Sequence, residues 1–261
     1  MLRWSINLFR IRGIQLALHS TFFLLLAYRG YQGWRDEGTF GLTLNLLATV
    51  ALFVCVVLHE LGHSFTGMHF GVRVSRILLT PIGGMAQFDE IPKEPRLELW
   101  ITVMGPAVNA ILALALWGLS LAYPAWFIYG ESLGPSLLYV LLLANVAMLC
   151  LNLLPIFPMD GGRILRAILA HRLSYLRATY WASVVGKVLA GLAIAALLIW
   201  SFLTSQPDLL ITAALFTFII TVNNQEYKMV QRNEAQEAYW REVAARTRIP
   251  PPLPSEPPIL L

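Results

Sequence analysis

Charge is scarce in this sequence. Of 261 residues only 13% are Asp, Glu, Lys or Arg, against 57% hydrophobic, and the mean hydropathy is +0.63. Soluble domains carry about a quarter charged residues, so this composition excludes one soluble core and indicates an integral membrane protein. Cysteine is nearly absent too. Cys55 and Cys150 each sit in an apolar run with no CxxC pair, which excludes a secreted disulfide framework. A continuous cationic face is also missing. The net charge of +4 comes from 19 Lys and Arg in short clusters between apolar runs, a pattern of membrane topology, with no nucleic acid as partner. No small-residue cleavage site follows Leu24-Leu25-Leu26 before Tyr28-Arg29, so the first apolar stretch reads as a retained segment and not a signal peptide.

What is present is a series of about six apolar stretches, at 14–28, 42–68, 98–122, 137–156, 182–204 and 208–222, each a candidate membrane span. Inside loops collect cations. With the N-terminus inside, Arg3, Arg10, Arg12, Arg73, Arg76, Lys93, Arg96, Arg163, Arg166, Arg172, Arg177, Lys187 and the tail cations all fall on that side, leaving Arg29 and Arg35 outside. Both termini are therefore expected in the cytoplasm, and the lack of targeting signals points to a prokaryotic plasma membrane. The expected fold is an all-α membrane protein of about six transmembrane helices, with a short re-entrant β-hairpin between spans two and three. There, Val72 to Phe88 alternates with β-branched residues and breaks at Gly83-Gly84. Backbone of that kind at membrane depth needs protein or a water-filled cavity beside it. Residues 163–173 carry helical apolar spacing beside cations and read as an anchor at the inner surface. One membrane domain is expected over 1–225, a cytoplasmic helical tail over 226–248, and a disordered Pro-rich C-terminus over 249–261.

The chemistry concentrates at the end of the second span, in His59-Glu60-Leu61-Gly62-His63. A spacing of four puts both imidazoles on one helix face, one turn apart, where they can share a zinc ion, and the adjacent Glu60 can reach the attacking water as general base. Two histidines and a glutamate inside an apolar span are costly unless they bind a metal or each other. Catalytic zinc takes about three protein ligands. His69 sits at the third-histidine spacing of another metalloprotease pattern, but Thr66 stands where that pattern needs Gly. Asp160 is the better third ligand. It ends the fourth span at the same inner side as His59, roughly 25 Å into a core about 30 Å thick, after Pro155 and Pro158 and before Gly161-Gly162, which let the chain turn a carboxylate into a cavity.

Those two motifs, His59-Glu60-x-x-His63 and Asn152-x-x-Pro155-x-x-Pro158-x-Asp160-Gly161, resemble the site-2 protease family of intramembrane metalloproteases. Met159 stands where leucine is more usual. The resemblance implies one zinc per chain on His59, His63 and Asp160, with Glu60 catalytic, and single-span membrane proteins as substrates. It also covers Gly105-Pro106-x-x-Asn109 and the Gly83-Gly84 loop, both implied to help place an extended substrate strand, while Asn152 has two readings of its own, binding substrate or supporting the break before Asp160. Asn109 has two open readings on its own chemistry: a hydrogen bond to substrate or oxyanion, or a helix–helix bond. His19 is expected in the first span as a packing or gating residue.

Three rival readings differ in class. A catalytically silent zinc-binding scaffold does not need Glu60. A transporter would spread ionisable residues through several spans, and spans three, five and six have almost none within them. A hydrolase of lipids or small amides shares the metal chemistry but not the need for a strand edge.

Overall fold

The protein is described by a computed structural model covering residues 4–81, 83–88, 93–127, 132–204 and 209–247. The Pro-rich stretch expected to be disordered lies outside the described residues. By contact the chain divides into two units, one of residues 1–91 and 100–151, the other of 92–99 and 152–261.

The first unit opens on a β-hairpin, β1 (Ser5–Ile11) and β2 (Ile14–His19). Arg12 and Gly13 both have positive φ, 47° and 92°, the conformation a two-residue hairpin turn requires and Gly supplies without strain. Strand β2 pairs in parallel with β3 (Val74–Thr80), which pairs antiparallel with β4 (Gly83–Phe88), giving the sheet order β1-β2-β3-β4. The structure is mostly helical, as expected, but its strands form a four-stranded sheet where one hairpin was expected, and the start of the first span is corrected. Ile14, Leu16 and Leu18 face a core with Val74, Ile77 and Leu79, Phe22 and Phe53, so the apolar run from residue 14 is half strand. Hydropathy alone merges such a buried strand with the helix behind it.

Helix α1 (Thr21–His69) is 49 residues long but breaks at Glu37 and Gly38, the latter at φ 61° and ψ −138°. The two arms fold back on each other. Asn45 Nδ2 donates to the Arg29 carbonyl at 3.2 Å and Arg29 Nη2 to Asn45 Oδ1 at 3.3 Å, and a Cβ on Gly33 would lie 2.1 Å from the Gly41 carbonyl oxygen. The arm after Gly38 is about 46 Å long, and the arm before it about 24 Å. His19 lies ahead of the helix, not within it: its Nδ1 accepts from the Thr21 backbone N–H and pairs with Thr21 Oγ1 at 2.7 Å. Helices α2 (Pro95–Ala122) and α3 (Leu133–Asn152) complete this unit, apart from the first turn of α2 and the last residue of α3, with a short 3₁₀ turn at Pro124–Phe127.

The second unit holds α4 (Asp160–Ala170), α5 (Tyr175–Thr204) and α6 (Leu209–Thr247). Helix α3 stops at Asn152, ahead of Pro155, so the expected span to residue 156 is shorter. Helix α6 runs unbroken through residue 225, carrying its apolar start directly into its polar end. Small residues Ala178, Ala182, Gly186 and Ala190 are buried along one face of α5, and Asn223 of α6 donates to the Ser183 carbonyl there at 2.9 Å, the close packing that small side chains permit. Helices α1, α2 and α5 are long and apolar enough to cross a membrane.

Candidate metal centre

The second arm of α1 presents His59 and His63 one turn apart, 4% and 7% exposed. Each ring is fixed from behind. His63 Nδ1 lies 2.8 Å from the Ile101 carbonyl oxygen, and His59 Nδ1 lies against Asn109 Oδ1. A carbonyl oxygen only accepts, so both rings carry their proton on Nδ1 and turn an acceptor Nε2 forward. Those two Nε2 atoms are 3.1 Å apart with ring planes at 85°. Two facing lone pairs repel unless a cation lies between them. Ligands at ~2.05 Å from a tetrahedral zinc ion are about 3.3 Å apart, so the donor pair fits the ion the spacing predicts.

The acceptor behind His59 is itself held. Asn109 Nδ2 donates to Asn145 Oδ1 at 3.0 Å and lies 3.8 Å from Met148 Sδ. Asn145 Nδ2 in turn donates to the Leu141 carbonyl at 2.9 Å and lies 3.4 Å from Cys55 Sγ. Both asparagines are fully buried. The carboxamide of Asn109 is thus committed within the unit, and its oxygen orients a histidine. Asn145 was missed by the sequence reading, although the argument applied to Asn109, a carboxamide in an apolar helix, points to it equally. Replacing Asn109 with Ala is expected to free the His59 ring and weaken zinc binding about 10–100-fold, measured by chelator competition, while His63 keeps its bond to Ile101.

Glycines bring the elements to this spacing. A Cβ on Gly62 would lie 2.5 Å from the Met104 carbonyl oxygen, and one on Gly105 would lie 2.1 Å from His63 Nε2, so α1 and α2 cross backbone to backbone at the histidines. Pro106, which has no N–H for the Thr102 carbonyl, lies within α2 five residues after Ile101, whose carbonyl meets His63. A Cβ on Gly84 would lie 2.6 Å from Glu60 Cγ, so strand β4 runs directly past the half-buried Glu60. His69 ends α1, exposed and against Phe70, and is not brought to His59 and His63. In the second unit Asp160 opens α4 and is buried. Gly161 and Gly162 pack without room for a Cβ against the backbone at Leu153, Leu154, Ile156 and Phe157, so the turn ahead of Asp160 is tightly wound. Asn152 is the last residue of α3.

The model of peptidase family M50 matches residues 47–133 and 131–195, more than half of the sequence. The chain belongs to peptidase family M50. Among curated M50-like relatives, a zinc metalloprotease of Methanocaldococcus jannaschii is 42% identical over 83% of this chain and 59% of its own length. Stage IV sporulation protein FB of Bacillus subtilis is 30% identical over 52% of this chain and 45% of its own. The chain therefore spans about half the length of these curated relatives. Its structure is similar to a solved site-2 protease from Methanocaldococcus jannaschii, with a TM-score of 0.58 and 37% identity over 86% of this chain and 95% of that one. Membership in M50 and the apolar helices make this a membrane protein, and zinc is the metal its relatives imply.

Proposed function

We propose that this M50 chain is an intramembrane zinc metalloendopeptidase that cuts transmembrane or membrane-adjacent protein segments near the cytoplasmic side. One observation carries the reading: two histidines with inward acceptor nitrogens 3.1 Å apart, beside Glu60 on the same helix. His59 and His63 hold one zinc ion per chain, with Asp160 as third ligand, a reading supported by its burial and by the Asn152-to-Gly161 motif. The bound ion supplies Lewis acidity toward a carbonyl and lowers the pKa of water.

Glu60 accepts the proton of the attacking water and delivers it to the leaving amine. Intrahelical hydrogen bonds occupy the scissile carbonyl of a helical substrate, so the segment must be unwound. Among the described residues no strand pairs with the outer edge of β4, which runs beside Glu60, and an extended segment can add there as another strand. Gly83, Gly84 and Asn152 are assigned to that substrate side, and Asn109 to positioning His59. The long arm of α1, taken to run inward from Gly38 with His59 about 30 Å from its start, and the cation asymmetry support a reading with both termini in the cytoplasm, and the prokaryotic relatives support a prokaryotic membrane.

The test is zinc content and cleavage of single-span substrates by purified protein in detergent. Asp160→Asn is expected to lose the stoichiometric zinc that wild type retains. Wild type without zinc would sink the reading. Zinc with no cleavage of any substrate would favour the silent scaffold, against which Glu60 beside β4 argues.

A further inference from the structure

The second unit buries a cluster of charge that the proposed chemistry does not use. Arg166, two turns into α4, is 2% exposed. Its Nε donates to Glu98 Oε1 at 2.8 Å and its Nη2 to the same oxygen, while Nη1 donates to Glu226 Oε1 at 2.8 Å. The rings of Phe157 and Tyr175 flank the guanidinium at 5.1 and 5.0 Å. Burial alone would push Arg166 down, but Glu98, Tyr175 and Glu226 carry it above its usual value, so the cation persists. Three charges taken out of water are poor value as stabilisation, since apolar residues of equal size usually hold a core as well. What they cannot copy is the planar fork that fixes two carboxylates and two rings around one point.

We propose that Arg166 is a positioning residue for Asp160, tying the turn that presents this carboxylate to α2 through Glu98 and to α6 through Glu226. Phe157, under the guanidinium, is fully buried and three residues ahead of Asp160. The backbone from Leu153 to Gly162 is wound too tightly for a Cβ at either glycine, so it moves as one piece with the first turns of α4. Fixing Arg166 therefore fixes where the Asp160 carboxylate stands. A second tie, Lys93 to Glu237, holds the same helix α6 to the segment ahead of α2, which makes the polar half of α6 a support of this turn.

The inference rests on Asp160 as a zinc ligand, and the experiment separates the two. Arg166→Met alone strands two buried carboxylates and is expected to unfold, so the informative variants are Arg166→Lys and the triple Arg166→Met, Glu98→Gln, Glu226→Gln, which removes all three charges together. Full-length protein in detergent is titrated with zinc against a chelator, and the thermal unfolding of the metal-free form is followed alongside. The triple variant is expected to unfold near the wild-type temperature yet bind zinc about 10–100-fold more weakly, and adding Asp160→Asn to it is expected to cost less than the same change costs in wild type. Arg166→Lys, a point charge without the fork, should fall between. Wild-type zinc affinity in either folded variant would overturn the positioning role and leave the cluster purely structural. Wild-type affinity in Asp160→Asn alone would instead overturn the ligand assignment on which it rests.

Discussion

Glu60→Gln is expected to cut cleavage about 10²–10⁴-fold while leaving zinc bound. The substitution is isosteric, keeps the fit against Gly84, and removes only the ability to accept a proton. Glu60 is not part of the His59 and His63 donor pair, whose Nδ1 atoms are held by Asn109 and Ile101, so metal content should match wild type by elemental analysis. A positioned general base is worth about 10²–10⁴ in rate, and turnover should fall by that factor with little change in substrate binding. Zinc lost together with activity would assign Glu60 to the metal or the fold. Undiminished turnover would place the base elsewhere.

Gly105→Ala is expected to remove zinc without touching any ligand. The added methyl would lie 2.1 Å from His63 Nε2 and 2.3 Å from its Cε1, well inside van der Waals contact. The ring cannot retreat along its Nδ1 side, where the Ile101 carbonyl stands at 2.8 Å, so it must rotate and carry its lone pair away. Loss of a correctly aimed ligand should exceed the upper end of about 100-fold that the loss of an outer partner gives. Gly118→Ala is the control on the same helix, since its Cβ meets nothing within 4 Å and alanine gains helix propensity of about 1 kcal/mol. Chelator competition on both proteins, with helicity by circular dichroism, reads the difference directly. Equal zinc binding in the two would show that the helices yield at the crossing.

The histidine pair was legible because its signal is local: spacing of four on a helix decides the geometry whatever surrounds it. The atoms that aim the pair were not. Ile101 contributes a backbone carbonyl, which no residue type announces, and Asn145 lies 36 positions from its partner Asn109. The hairpin from Val72 was marked by its alternation and its glycines, whereas β2 was hidden because Ile14 to Leu18 is followed at once by the apolar start of α1. In the sequence Arg166 looks like one more cation of an inner-surface anchor and of a topology count. Its partners are 68 and 60 residues away, and charge counting registers sign without registering whom the charge faces. Glu98 was passed over for the same reason, at the mouth of an apolar stretch.

The links from His59 through Asn109 and Asn145 to the Leu141 carbonyl are side-chain and backbone amides. Many metal-binding histidines are braced by a carboxylate instead. An amide brace has no proton to gain or lose in the ordinary range, so neither acidification nor alkalinity on either face of the bilayer can unlatch it. It also carries no net charge, and a transmembrane voltage does work only on charge. The aim of His59 is therefore insulated from the two variables that fluctuate most at an energised membrane.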